Sequence, residues 1–218
     1  MPQRFDLIVF DWDGTLFDST ALIVKSMQAA AVDLGLEAPS RERASYVIGM
    51  GLVEALSHAL PGLDRSLYPA LGERYRHHYL ASAHEVTLFE GVPVMLQALK
   101  ARHHWLAVAT GKSRRGLDEA LAAVNMAQLF DGTRTADETA SKPHPQMLLE
   151  LMREFGTEPE RTLMIGDTSH DLELARNAGC PAVAVTYGAH AHEGLRTYNP
   201  LLVAHDVPSL HTWLLDHA

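Results

Sequence analysis

Five short apolar runs punctuate the chain, and most of them stop abruptly at polar or turn-forming residues. Residues 5–10 end at Asp11-Trp12-Asp13-Gly14, residues 105–109 at Thr110, residues 162–165 at Gly166-Asp167, and residues 182–185 near Tyr187; the fifth run is 201–203. Runs of this length bounded by turn residues read as buried strands. Helical periodicity fills the intervals, over about 92–101, 113–125, 144–155, 169–178 and 208–216. Strands that alternate with helices predict an α/β fold, a doubly wound parallel sheet covered on both faces.

One stretch breaks the alternation. Residues 19–83 contain no convincing strand; Ser19 is placed to cap a helix through Ala21 and Met27, and further helices fit 40–48, 52–59 and 64–82. The pattern predicts a helical insert after the first strand. The expected division is a core of residues 1–16 plus 86–218 and a helical unit of 17–85, with hinges near 15–19 and 84–91. The plainer alternative is one domain with extra helices.

Length and composition narrow this picture without changing it. The chain has 218 residues, 47% of them hydrophobic, which suffices for a core of its own. The single cysteine, Cys180, cannot form an internal bridge, and the start resembles no signal peptide. No apolar run is long enough to cross a membrane, so a cytoplasmic protein is expected. A net charge of −9 disfavours a nucleic-acid binder and would repel an anionic ligand unless local cations intervene. Lysine is scarce: Lys25, Lys100, Lys112 and Lys142. The 13 histidines show no zinc spacing and are expected at the surface.

Asp11-Trp12-Asp13-Gly14-Thr15 is the sharpest chemical signal. Two carboxylates two residues apart at a strand's end can address one point, where open α/β sheets bind ligands. Such a pair suits a hard cation such as Mg²⁺, although Asp13-Gly14 alone would also make a turn. Gly166-Asp167-Thr168-Ser169-His170-Asp171 is a second acidic cluster opening a helix; capping by Asp167 or Ser169 is its structural alternative. Thr110-Gly111-Lys112-Ser113 ends like a phosphate-binding P-loop. That loop requires glycine where Leu106 stands, so what remains is a hydroxyl and free N–H groups suited to one phosphoryl group, with Ser113 capping the next helix. Lys142 precedes Pro143, so it lies in extended chain outside the following helix, as a point charge for a phosphate oxygen.

The order Asp/Asp, Thr, Lys, Asp/Asp resembles the haloacid dehalogenase superfamily, most closely its phosphoglycolate-phosphatase-like phosphatases with an inserted helical cap. The resemblance implies an Mg²⁺-dependent phosphatase working through an aspartyl phosphate on a small phosphorylated metabolite. By it, Asp11 is the nucleophile and Asp13 the general acid/base. Gly14, Thr15, Thr110, Gly111 and Lys142 surround the phosphoryl group. Asp11, Asp13 (through its backbone carbonyl), Asp167 and Asp171 make the metal site. Haloacid dehalogenases proper and phosphonate-cleaving members differ at the position of Asp13. Many close relatives carry asparagine where this chain has Gly111, a departure that weakens the assignment to phosphoglycolate itself within a phosphoglycolate-like reading. The loop Ile48-Gly49-Met50-Gly51 resembles the one that reaches over the site, and Arg41 or Arg43 could meet a second anionic group. A sugar-phosphate mutase of the β-phosphoglucomutase type shares the motifs. A phospho-aspartate receiver shares the Asp, Thr and Lys but has about half the length and its acceptor on a middle strand.

Overall fold

The computed structural model describes residues 4–218. Six strands form one parallel sheet: β1 Leu7–Phe10, β2 Trp105–Thr110, β3 Gly132–Thr135, β4 Thr162–Gly166, β5 Ala182–Val185 and β6 Val203–Ala204, in the order β3-β2-β1-β4-β5-β6. β1 is central: Leu7 pairs with Trp105 on one side and with Thr162 on the other. The chain order reverses at β1, so the crevice beyond its carboxyl end is where such a sheet binds ligands. One further backbone bond, Asp11 N–H to Ile165 carbonyl at 2.9 Å, carries the pairing a residue past the strand.

Alternation along β1 explains the two layers of helices. Ile8 and Phe10 face one side and pack with α5 (Val92–Ala101), α6 (Arg114–Ala123) and α10 (Val207–His217). Leu7 and Val9 face the other, against α7 (Gln146–Phe155) and α8 (Ser169–Ala178). A strand covered on both faces is apolar throughout, which is why these runs stand out.

Between β1 and α5 the chain forms α1 (Thr20–Asp33), α2 (Arg41–Tyr46), α3 (Leu52–Ala59) and α4 (Tyr68–Ser82). These helices bury apolar clusters of their own, one around Ile23, Met27, Val47 and Ile48, another around Ala30, Leu56 and Leu71. The two chain crossings are tied side by side: Asp18 N–H donates to Thr87 at 2.9 Å and Phe89 N–H to Leu16 at 3.0 Å.

Three expectations need correction. β3, Gly-Thr-Arg-Thr, is an edge strand with one fully buried residue, so no apolar run announces it. The short α9 (His192–Arg196) was also unforeseen. His104 and His170 are buried rather than superficial; His104 bonds the Phe5 carbonyl at 2.9 Å. Among the described residues no helix is long and apolar enough to cross a membrane.

Candidate active site

The loops after β1, β2 and β4 bring the two acidic clusters together. Asp11, Asp167 and Asp171 are buried and offer carboxylate oxygens within 4.8 Å of one another. Lys142, also buried, reaches into the group: its ammonium donates to Asp11 Oδ1 at 2.7 Å and to Asp171 Oδ1 at 2.6 Å. Burial disfavours the lysine's charge, but the Asp11 and Asp171 carboxylates outweigh it and hold its pKa above the ordinary value.

Each acid is held differently. Asp171 caps α8: Thr168 N–H and Oγ donate to its Oδ2 at 3.0 and 2.7 Å. The capping box therefore runs from Thr168 to Asp171 rather than from Asp167 or Ser169. Asp167 accepts from Thr15 Oγ at 2.9 Å and from Ala189 N–H at 2.6 Å. Thr15 thus uses its hydroxyl to orient Asp167. Gly14 has φ +85°, and a β-carbon there would overlap the Asp167 carboxylate, so only glycine lets these loops meet. Asp11 Oδ2 is buried without a hydrogen-bond partner.

Three carboxylates share one ammonium here. Burial and the Asp171 charge push the Asp167 pKa up to about 7, against the bonds from Ala189 and Thr15. Burial also raises that of Asp11 well above the carboxylate range, against the pull of Lys142. An all-oxygen, electron-rich pocket with an unsatisfied carboxylate oxygen fits a hard divalent cation such as Mg²⁺.

Asp13 faces elsewhere. Its carboxylate accepts from Ser19 Oγ at 2.6 Å and pairs with Lys112 at 3.1 Å. Ser19 precedes α1 but makes no capping bond; its hydroxyl serves Asp13 instead. The Lys112 ammonium also donates to the Tyr79 hydroxyl at 3.3 Å and lies 4.6 Å from that ring's centre. Desolvation opposes the Lys112 charge, yet Asp13, Tyr79 and Tyr75 keep its pKa above the ordinary value. Two of the four lysines therefore stand in the site, one on each acid of the first motif, and supply the local positive charge that the net −9 demands. Thr110 is buried at the end of β2, its Oγ accepting from Lys112 N–H at 3.2 Å. Ser113 caps α6 through Gly116 N–H at 3.2 Å.

The 46–51 segment fastens onto the core. His170 and His190 both place Nε2 on the Tyr46 carbonyl, at 2.8 and 2.9 Å. A carbonyl only accepts, so both rings carry hydrogen on Nε2, and His190 Nδ1 is free to accept from Ser169 N–H at 3.1 Å. Gly51 N–H donates to Ser141 Oγ at 2.7 Å. Arg41 and Arg43 are exposed and do not line the cavity beside Asp13, whereas Ile48, Gly49 and Met50 do. Arg41 and Arg43 thus stand in solvent, as surface arginines do, and the arginine of the inserted helices that lines the cavity is Arg76.

This arrangement coincides with what comparison finds. The family model described as haloacid dehalogenase-like hydrolase matches residues 8–185. The chain belongs to this family. Among relatives, Probable phosphatase IndB of Dickeya dadantii is 35% identical, over 90% of this chain and 88% of its own length. A 5′-nucleotidase of Pseudomonas aeruginosa is 31% identical over 98% of this chain and 97% of its own. A phosphoglycolate phosphatase of Haemophilus influenzae is 32% identical over 98% and 100%. The solved structure of a predicted phosphoglycolate phosphatase from Haemophilus somnus has a TM-score of 0.83 at 27% identity, covering 99% of each chain.

Within this haloacid dehalogenase-like hydrolase, Gly111 acquires a reason. A β-carbon there would overlap the backbone carbonyls of Gly49 and Met50, so the glycine admits the 46–51 loop into contact with the core. Gly111→Ala is expected to lower kcat/KM about tenfold, because forcing a methyl against packed backbone costs about 1–3 kcal/mol and the closed loop must give way. Steady-state kinetics on a folded variant checks this; unchanged kinetics would show that the loop moves aside freely. Sequence reading missed Ser19, Lys112, Tyr79 and the Tyr46–His170–His190 contact. The scarcity of lysine was the one available signal, for Lys112.

Proposed function

We propose that this hydrolase is a phosphatase for small phosphate monoesters that depends on Mg²⁺, with residues 17–85 acting as a cap over the site. The observation that carries the reading is the buried Asp11 carboxylate at the end of the central strand, one oxygen on Lys142 and the other unpartnered. The family and the phosphatase names of its relatives support a phosphoric monoester hydrolase.

Asp11 attacks phosphorus, an Asp11 oxygen–phosphorus bond forms, and the ester oxygen–phosphorus bond breaks. Asp13, protonated at that moment and aimed by Ser19 and Lys112, gives its proton to the departing alkoxide. It then takes a proton from the water that attacks the aspartyl phosphate, releasing phosphate and restoring Asp11. Lys142 offsets repulsion between Asp11 and the phosphate dianion. Asp11, Asp167 and the Asp13 backbone carbonyl would hold Mg²⁺, with Asp171 beside them; the ion supplies charge neutralisation for the dianion.

The test is phosphate release from small phosphate esters with and without Mg²⁺, together with borohydride trapping of the intermediate at position 11. Release that needs a sugar bisphosphate would favour a mutase instead. Asp13→Asn is expected to lower turnover by roughly 10²–10⁴-fold, since the amide cannot carry the proton. Mg²⁺ binding, read as a rise in Tm, is expected to persist, because the backbone carbonyl remains. A loss of Mg²⁺ affinity matching the loss in rate would make Asp13 chiefly a ligand.

A further inference from the structure

We propose that the alcohol released by this enzyme has an apolar body, aromatic or branched aliphatic, and carries no anionic group of its own. This rests on the phosphatase reading above and specifies its substrate class. The observation is the cavity of about 420 Å³ that opens from Asp13 and Lys112 and runs between the inserted helices and α6. Its volume falls among sites for ligands well beyond two carbons in size, roughly 300–1,000 Å³.

The chemistry of the walls sets the class. Phe17, Ile23, Met27, Val47, Ile48 and Met50 form the inner wall. Tyr75 and Tyr79 add aromatic surface beside Lys112. Three cationic residues line the cavity, and none is both shielded from solvent and free of an acidic partner. Lys112 is already engaged by Asp13 at 3.1 Å and by the Tyr79 hydroxyl at 3.3 Å. Arg115 is exposed and paired with Glu119 at 2.8 Å, and Arg76 is exposed on α4. A hydroxy-acid leaving group such as glycolate would have to shed its water against apolar side chains with only a solvated arginine at hand and no shielded, unpaired cation to gain. An apolar body gains by the same desolvation, in proportion to the surface it covers. On the outer side, α6 presents Gly116, Ala120 and Ala123, small residues that leave width for a ring.

The experiment compares kcat/KM, with Mg²⁺ present, for 2-phenylethyl phosphate and 2-phosphoglycolate, both esters of primary alcohols. The aryl-alkyl ester is expected to be preferred at least about tenfold. Ala120→Trp, which fills the cavity from the core helix, is expected to bring that ratio to about one or below. Met27→Asp, which places charge on the inner wall, is expected to do the same; should it fail to fold, Ala120→Trp decides alone. Phosphoglycolate hydrolysed as well as the aryl-alkyl ester, or a ratio that Ala120→Trp does not move, would overturn the inference and leave the phosphatase reading standing. No phosphate release from any ester would overturn that reading, and the inference with it.

Discussion

Asp11→Asn is expected to abolish turnover while leaving the protein at least as stable as the parent. The two effects share one cause. Asp11 is fully buried, and burial holds its carboxyl well above the ordinary pKa, so its charged form is tolerated rather than favoured. Asparagine has the same shape, keeps an oxygen for the Lys142 ammonium now 2.7 Å away, and removes one of three crowded negative charges. The amide is a poor nucleophile and a weaker ligand for a hard cation. Phosphate release below a hundredth of the parent's is expected, with a metal-free Tm equal or higher. Activity above that level would remove Asp11 from the nucleophile's role. A marked fall in Tm would show that its charge supports the fold.

Lys142→Ala is expected to lose both activity and stability. The ammonium is the direct cationic partner of both Asp11 and Asp171, and removing one member of a buried ionic group typically costs about 3–5 kcal/mol. For a chain of this size that corresponds to a fall in Tm of roughly 6–20 °C. The loss depends on pH with a definite sign. Asp11 already has a raised folded pKa, and deleting the lysine raises it further. A carboxyl whose folded pKa exceeds its unfolded value supports folding when protonated, and that support is lost as pH rises through the folded value. The metal-free variant is therefore expected to be destabilised more at pH 8 than at pH 5, measured by thermal unfolding at both. A Tm within 2 °C of the parent at pH 8 would show that the carboxylates do not need this lysine.

Local patterns made much of the scaffold legible. β1, β2, β4 and β5 announce themselves because strands buried on both faces must be apolar along their length. β3 was hidden because an edge strand with only Thr135 fully buried has no such requirement. The acidic motifs were legible because turn residues and paired carboxylates at strand ends are unusual neighbours, and Lys142 stood out by its place before Pro143 and between the Thr110 motif and the second acidic cluster. Ser19 was misread: a serine before a helix is normally its cap, and only the approach of Asp13 redirects its hydroxyl.

The sequence by itself determined the alternation of strand and helix, the run of helices after β1, and the acidic clusters at the ends of β1 and β4, because each depends on near neighbours in the chain. Tertiary structure alone decided how those groups are divided. Asp11 and Lys142 are 131 positions apart, and Thr15 and Asp167 are 152 apart, so no local rule pairs them. The sheet order brings β1 between β2 and β4, and that placement assigns Lys142 to one acid of the first motif and Lys112 to the other. The docking of Tyr46 on His170 and His190, and of Gly49 and Met50 on Gly111, likewise exists only once the inserted helices fold back over the sheet. That contact and the apolar cavity beside it come from surfaces distant in the chain, and shape and charge between such surfaces are set by packing.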